Sequence, residues 1–219
     1  MTDGPAFPLI IALAGLLLSP ASEFVIARGL PQLGGVPSPR VRMTTAAVTA
    51  LLFGLLAWRF GISLELPAFL LLALLGVQLS RIDFTLHLLP NALIVLLLGG
   101  GLLLLAASAA LVPGWPELLR AVAGGAILFA GYLILGLISP GSIGMGDVKL
   151  AAPLGMYLGY LGWQQLFYGA LLGFVVGGVL TVLMLRMGNR EKPRETAHGP
   201  AMVSATLGVI LLLNQLYEY

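Results

Sequence analysis

Long apolar runs separated by short polar segments dominate this chain from end to end. The clearest runs cover residues 66–80, 88–112 and 166–186, and they approach or exceed the roughly 18 residues that indicate a membrane-spanning helix. The pattern predicts an all-α fold, a polytopic transmembrane helical bundle of about eight spans. These predicted spans are residues 7–27, 45–58, 66–80, 89–112, 118–138, 148–160, 165–187 and 200–216.

The sixth predicted span is the least regular of the eight. Pro153, Gly155 and Gly159 interrupt it, and residues 148–160 are short for a full crossing. A re-entrant helix is the alternative for this segment, and it would leave seven spans. We expect the whole chain, residues 1–219, to form a single membrane-embedded domain.

The composition excludes a soluble enzyme. Of 219 residues, 59% are hydrophobic and only 9% are charged, whereas a soluble domain has roughly 45–50% apolar and about 25% charged residues. The absence of cysteine excludes disulfides, thiolate zinc sites, iron–sulfur clusters and a cysteine nucleophile. The two histidines show no metal-ligand spacing, so we expect neither a metal nor a cofactor.

The basic residues predict an orientation rather than a nucleic-acid partner. With eight crossings, most of them fall on one side of the membrane, which the positive-inside rule makes cytoplasmic. The amino terminus is then outside, and its lack of basic residues predicts no cleavable signal peptide. Two polar loops, residues 29–43 and 188–199, are expected on the cytoplasmic side. The basic residues on that side are Arg28, Arg40, Arg42, Arg81, Lys149, Arg186, Arg190, Lys192 and Arg194, and only Arg59 and Arg120 lie opposite.

Two aspartates fall where predicted spans meet the cytoplasmic side. Asp83 follows the third span and Asp147 precedes the sixth, so the topology brings both carboxyls to one face. Two neighbouring carboxyls cannot both ionise cheaply, so they share a proton and suit general acid–base catalysis. Simpler explanations remain open: Asp147 as a helix N-cap, and Asp83 as an interfacial partner of Arg81. Glu23 is assigned no role.

Four segments resemble the bacterial type IV prepilin peptidases, which are membrane aspartic proteases with a Gly-x-Gly-Asp motif. Gly144-Met-Gly146-Asp147-Val-Lys149 matches that motif and its continuation. Asp83 stands seven residues before Pro90-Asn91, as does the family's first aspartate. Residues 24–31 resemble the segment after the family's first span, and residues 198–202 resemble the opening of its last span.

The resemblance implies an aspartic endopeptidase with Asp83 and Asp147 as the catalytic pair, supported by Gly144, Gly146, Lys149 and Pro90. The expected substrates are prepilins or pseudopilins of type IV pilus and type II secretion systems, cleaved at the cytoplasmic face of the bacterial inner membrane. Full-length members carry a zinc-binding domain after the first span. Here residues 29–43 are too short for it, which puts N-methyltransferase activity in doubt. A non-proteolytic pilus-assembly scaffold and a small transporter are the alternatives.

Overall fold

A computed structural model describes residues 5–112, 114–138, 143–187 and 198–213 of the protein. These residues form eight α-helices and one short 3₁₀ helix, Pro31–Leu33, so the predicted all-α fold is confirmed. The helices are α1 (Ala6–Gly29), α2 (Pro39–Phe60), α3 (Leu66–Leu86), α4 (Asn91–Leu111), α5 (Trp115–Ile138), α6 (Met145–Leu161), α7 (Trp163–Met187) and α8 (Gly199–Leu212).

The first five helices are long and apolar enough to cross a membrane. They contain 21 to 24 residues, with mean hydropathies of 1.5 to 2.5 over their most apolar windows. Trp163–Val179 of α7 and the whole of α8 are shorter apolar helices. Large apolar side chains on the outer helices are exposed, such as Leu17 on α1 and Leu103 on α4. In a multi-pass membrane protein, these exposed side chains face lipid.

Helix α6 corresponds to the irregular sixth span, and it lies inside the bundle. It packs on α4, α5, α7 and α8, and nearly all of its residues from Val148 to Leu161 are buried. Its 17 residues are fewer than in each of the five long spans. Because protein surrounds it, α6 tolerates Pro153 and its glycines without exposing backbone groups to lipid.

Glycines allow α5 and α6 to approach each other closely. A methyl group on Gly124 of α5 would lie 2.6 Å from the carbonyl oxygen of Gly155 on α6. A methyl group on Gly155 would lie 2.5 Å from the carbonyl oxygen of Gly124. Small residues at such crossings are the usual packing device of membrane helices.

Helix boundaries differ from the predicted spans where charged residues are present. Helix α2 begins at Pro39, so the connection after α1 is shorter than the predicted loop of residues 29–43. Helix α3 continues to Leu86, six residues past the predicted end. Charge ends an apolar run, but it does not end a helix, and α3 therefore includes Arg81 and Asp83. The predicted loop at residues 188–199 falls largely outside the described residues.

Candidate active site

Asp83 lies in the last turn of α3 and is buried, with 5% of its surface exposed. Its Oδ2 accepts a hydrogen bond of 3.1 Å from the backbone N–H of Gly199, the first residue of α8. The Nε of Arg81 instead donates to Oε1 of Gln78 at 3.2 Å. The simpler explanation, in which Asp83 serves as a partner of Arg81, is therefore wrong for the interactions seen in the described residues.

A tight turn, residues 87–90, connects α3 to α4 beside Asp83. His87 ends α3 in the left-handed conformation, with φ of 52°, and its N–H donates to the carbonyl oxygen of Asp83 at 2.9 Å. Pro90 is the N-cap residue of α4 and has an extended backbone. The seven-residue spacing from Asp83 to Pro90 thus corresponds to one final helical turn followed by a compact reversal.

Asp147 is the third residue of α6 and is buried, with 7% of its surface exposed. Gly144 is the N-cap residue of α6, so the alternative that Asp147 serves as the N-cap is wrong. A methyl group on Gly144 would lie 3.4 Å from Oδ2 of Asp147, which shows how close the chain passes to this carboxyl. The first turn of a helix is also where a negative charge is electrostatically favoured.

Lys149 connects the start of α6 to the start of α4. Its Nζ donates a hydrogen bond of 3.0 Å to Oδ1 of Asn91, the residue after Pro90. The two segments that resemble the family's aspartate motifs are therefore bonded to each other. This contact joins the start of the helix that carries Asp147 to the start of the helix that follows the Asp83 turn.

The side chain of Leu89 lies between the two aspartate segments. A methyl group on Gly146, the neighbour of Asp147, would lie 3.0 Å from Cβ of Leu89. A methyl group on Gly199 would lie 3.5 Å from Cδ1 of Leu89 and 2.8 Å from Oδ2 of Asp83. Both aspartates are thus at the same end of the bundle, and their segments meet around one leucine.

An aromatic cluster near Asp147 was not anticipated from the sequence. Tyr132 of α5 stacks on Phe174 of α7 with ring centroids 4.9 Å apart, and the His198 ring lies 6.4 Å from Tyr132. Asp147 lies within electrostatic range of the Tyr132 hydroxyl. Burial lowers the pKa of His198, which precedes α8, and so favours its neutral imidazole. Tyr132 gave no signal because it sits within an apolar run.

Glu23 is a second polar site that the sequence reasoning left without a role. It is 1% exposed, and its Oε1 accepts a short hydrogen bond from the hydroxyl of Thr45 on α2. The Nε of Arg42 lies 3.5 Å from its other carboxylate oxygen. The sequence did contain an indication of this site, because Glu23 lies within the predicted span 7–27. Ionisable groups in spans are costly and usually partnered.

Two buried carboxyls at one end of a bundle can donate and accept protons, as acid–base catalysis requires. Within the described ranges, no three His, Asp or Glu side chains are grouped closely enough to hold a metal ion.

The family model for the type IV leader peptidase family matches residues 68–182, which include both aspartates. The chain belongs to the type IV leader peptidase family.

Curated relatives extend the similarity beyond the matched segment. A prepilin leader peptidase/N-methyltransferase of Stutzerimonas stutzeri is 36% identical over 168 residues, covering 76% of this chain and 56% of that protein. A protein of the same name from Bacillus subtilis (strain 168) is 30% identical, covering 66% of this chain and 56% of that protein. The chain thus spans little more than half the length of these family members. No solved structure matches it.

Proposed function

We propose that this protein is a membrane-embedded aspartic endopeptidase that cleaves the leader peptides of type IV prepilins or pseudopilins. Asp83 and Asp147 are the catalytic pair in this proposal. The observation that carries it is the convergence of the two buried aspartate segments around Leu89, in a chain of the type IV leader peptidase family. The related proteins are prepilin leader peptidase/N-methyltransferases, and this supplies the substrate class.

The chemistry requires one carboxylate and one carboxylic acid. The ionised group takes a proton from water, whose oxygen attacks the carbonyl carbon of the scissile peptide. The protonated group hydrogen-bonds to the carbonyl oxygen, and the C–N bond breaks as a proton passes to the leaving amine. The proton belongs to the pair as a whole, so neither Asp83 nor Asp147 is assigned to one role.

The position of the pair disfavours the two alternative functions. A transporter that uses intramembrane acids as a relay would place them near the bilayer midplane, whereas Asp83 and Asp147 lie in terminal helical turns. A non-proteolytic scaffold function does not require Asp83 and Asp147 to lie at the same end of the bundle. Convergence of both segments on Leu89 therefore favours the peptidase.

Substituting each aspartate by asparagine tests the proposal. The wild-type protein, co-reconstituted with a prepilin, should shorten it, while Asp83→Asn and Asp147→Asn should each lower the rate at least 100-fold. An amide keeps the shape of the carboxyl but cannot exchange the proton. Glu117→Gln is the matched control, because Glu117 lies in the first turn of α5, at the opposite end of the bundle, and should leave cleavage unchanged. Comparable cleavage by either Asn variant would remove that aspartate from the mechanism.

We also propose that the candidate active site faces the cytoplasm from the inner membrane, with the amino terminus outside. Nine of the eleven Lys and Arg residues lie on the side of the aspartates in the eight-span topology. The chain has no cysteine, so single cysteines report sidedness without background. In intact cells, an impermeant maleimide should label Ile62→Cys, between α2 and α3, but not Gln32→Cys, between α1 and α2. The reverse labelling would invert the topology.

A further inference from the structure

The ring of His198 lies in a notch between α5 and α7 that is formed by Tyr132, Phe174 and Gly177. The centroid of the ring is 6.4 Å from that of Tyr132 and 6.3 Å from that of Phe174. A methyl group on Gly177 would overlap Cε1 and Nδ1 of the imidazole. The notch therefore accommodates the ring because Gly177 has no side chain, and the proton transfers of the proposed function do not account for this contact.

The peptide unit that follows His198 holds Asp83. Its N–H is that of Gly199, which donates to Oδ2 of Asp83 at 3.1 Å. Its carbonyl oxygen is that of His198, which accepts a hydrogen bond of 3.1 Å from the N–H of Met202 in the first turn of α8. Because a peptide unit is planar and rigid, a movement of the His198 carbonyl also moves the N–H that reaches Asp83.

The first turns of α8 are held from two directions. On one side α8 packs against α3, where a methyl group on Gly76 would lie 2.9 Å from Cγ1 of Val203. On the other side, the His198 ring anchors the start of α8 against α5 and α7. The hydrogen bond to Asp83 is near the upper end of the usual range of about 2.7–3.2 Å, so a shift of roughly half an ångström would break it.

We propose that His198 is a positioning residue for the peptidase reaction. Its ring, seated in the notch, fixes the first peptide unit of α8 and through Gly199 the carboxyl of Asp83. This inference rests on the proposed function, since it presupposes that Asp83 takes part in cleavage. His198 itself transfers no proton in this scheme, and the chemistry stays with the two aspartates.

Gly177→Ala tests the inference without changing His198 or either aspartate, because its methyl group displaces the ring from the notch. With a prepilin as substrate, it should lower kcat by about tenfold or more, since a misplacement of about 1 Å can reduce a rate about 100-fold. KM should change much less, because the aspartate acts in the transition state. Gly178→Ala is the matched control on α7, where no side chain and no other helix lies within 4 Å of the added methyl group, and it should keep the wild-type kcat.

Substitutions of His198 separate positioning from a general loss of packing. His198→Ala empties the notch and should lower kcat as Gly177→Ala does. His198→Phe keeps an aromatic ring beside Tyr132 and Phe174 and should stay within about threefold of wild type, since it restores the anchor without an imidazole. In the His198→Ala background, Gly177→Ala has no ring to displace, so the double variant should be no slower than His198→Ala alone. If Gly177→Ala does not remain monodisperse after purification, the Ala and Phe variants of His198 carry the test.

Cross-linking tests the seating of His198 independently of cleavage. The chain has no cysteine, so a protein with His198→Cys and Gly177→Cys contains only the two thiols of interest. Oxidation with copper phenanthroline should join them, which intact-mass measurement detects as the loss of two hydrogens. The pair His198→Cys and Gly178→Cys should stay reduced under the same conditions.

Four results would overturn the inference. The first is an equal kcat in Gly177→Ala, Gly178→Ala and wild-type proteins. The second is an effect of Gly177→Ala that is just as large in the His198→Ala background, which would make it independent of the ring. The third is the absence of the disulfide between positions 177 and 198, which would show that the notch is not occupied. If the disulfide forms but the wild-type protein cleaves no prepilin, the proposed function fails and takes the inference with it, and the intact seating distinguishes this outcome from the other three.

Discussion

The backbone N–H of Gly199 donates a hydrogen bond to Oδ2 of Asp83 across 116 positions of sequence. Gly199 is the first residue of α8, where backbone N–H groups have no partner within the helix. The start of α8 therefore satisfies one of its own donors while orienting a carboxyl on α3.

Replacing Gly199 by alanine should impair cleavage by at least tenfold. The added methyl group would lie 2.8 Å from Oδ2 of Asp83, so the carboxyl or the start of α8 must move. Gly208→Ala is a control on the same helix, since no side chain and no other helix lies within 4 Å of the added methyl group. Prepilin cleavage measured on both variants at matched protein levels checks this. Equal activity of Gly199→Ala and wild type would show that cleavage does not depend on the close approach of Gly199 to Asp83.

Glu23 should stabilise the packing of α1 on α2. Glu23→Ala removes the acceptor of the Thr45 hydroxyl and the ion-pair partner of Arg42, and it should lower the free energy of unfolding by about 1–3 kcal/mol. Thr45→Val should cost about 1 kcal/mol. Thermal unfolding in detergent measures both changes. Glu65→Ala, at the other end of the bundle and partly exposed, should change stability little, and a loss comparable to that of Glu23→Ala would contradict a specific role for the buried pair.

His198 should make stability sensitive to acid. Burial lowers its pKa below the ordinary value of 6.5, so the unfolded chain binds a proton at a pH where the folded protein does not. Stability conferred by the neutral imidazole is therefore present above about 6.5 and declines as the pH falls below it. Unfolding temperatures measured between pH 8 and 5 should fall more steeply for wild type than for His198→Gln. Parallel curves would exclude His198 as the titrating group.

Cleavage should continue in the presence of a chelator, because we expect the carboxyls to activate the water. The processed pilin should keep an unmethylated amino terminus, since α1 and α2 are joined only by residues 30–38, where we expect no zinc domain. Intact-mass measurement of pilin processed by this protein alone shows whether its amino terminus is methylated. A product heavier by one methyl group, formed only when S-adenosylmethionine is supplied, would contradict it. Loss of cleavage in the presence of the chelator would contradict the expectation that the carboxyls activate the water.

The helices and the placement of the aspartates could be predicted because both depend on local sequence. Apolar runs of sufficient length predict spans. Because successive spans cross in opposite directions, Asp83 after the third span and Asp147 before the sixth are placed on the same side. The exact ends of α2 and α3 could not be predicted this way, because Arg40 and Arg81 end an apolar run without ending a helix. Hydropathy reports the membrane boundary, while backbone hydrogen bonding sets the helix boundary.

Contacts between segments that are distant in the sequence could not be predicted from it. Gly199 was recognised only as part of a short motif, and its bond to Asp83 depends on how α8 packs against α3. Tyr132 lies in an apolar run, so its proximity to Asp147 left no trace in the pattern. Glu23 did leave one, as an acid within a span, but its partners on α2 could not be identified without the fold.

The enclosure of α6 has a consequence for how the protein is made. This helix is short, contains Pro153 and is covered on almost every side by protein, so by itself it would partition poorly into lipid. Gly155 and Gly159 of this helix fit closely against α5, where an added methyl group would meet Gly124, Leu128 and Arg120. During synthesis, α6 should therefore enter the bilayer as the second arm of a hairpin with α5 and not as an independent span. Asp147, in the first turn of α6, would then be positioned through this pairing with α5.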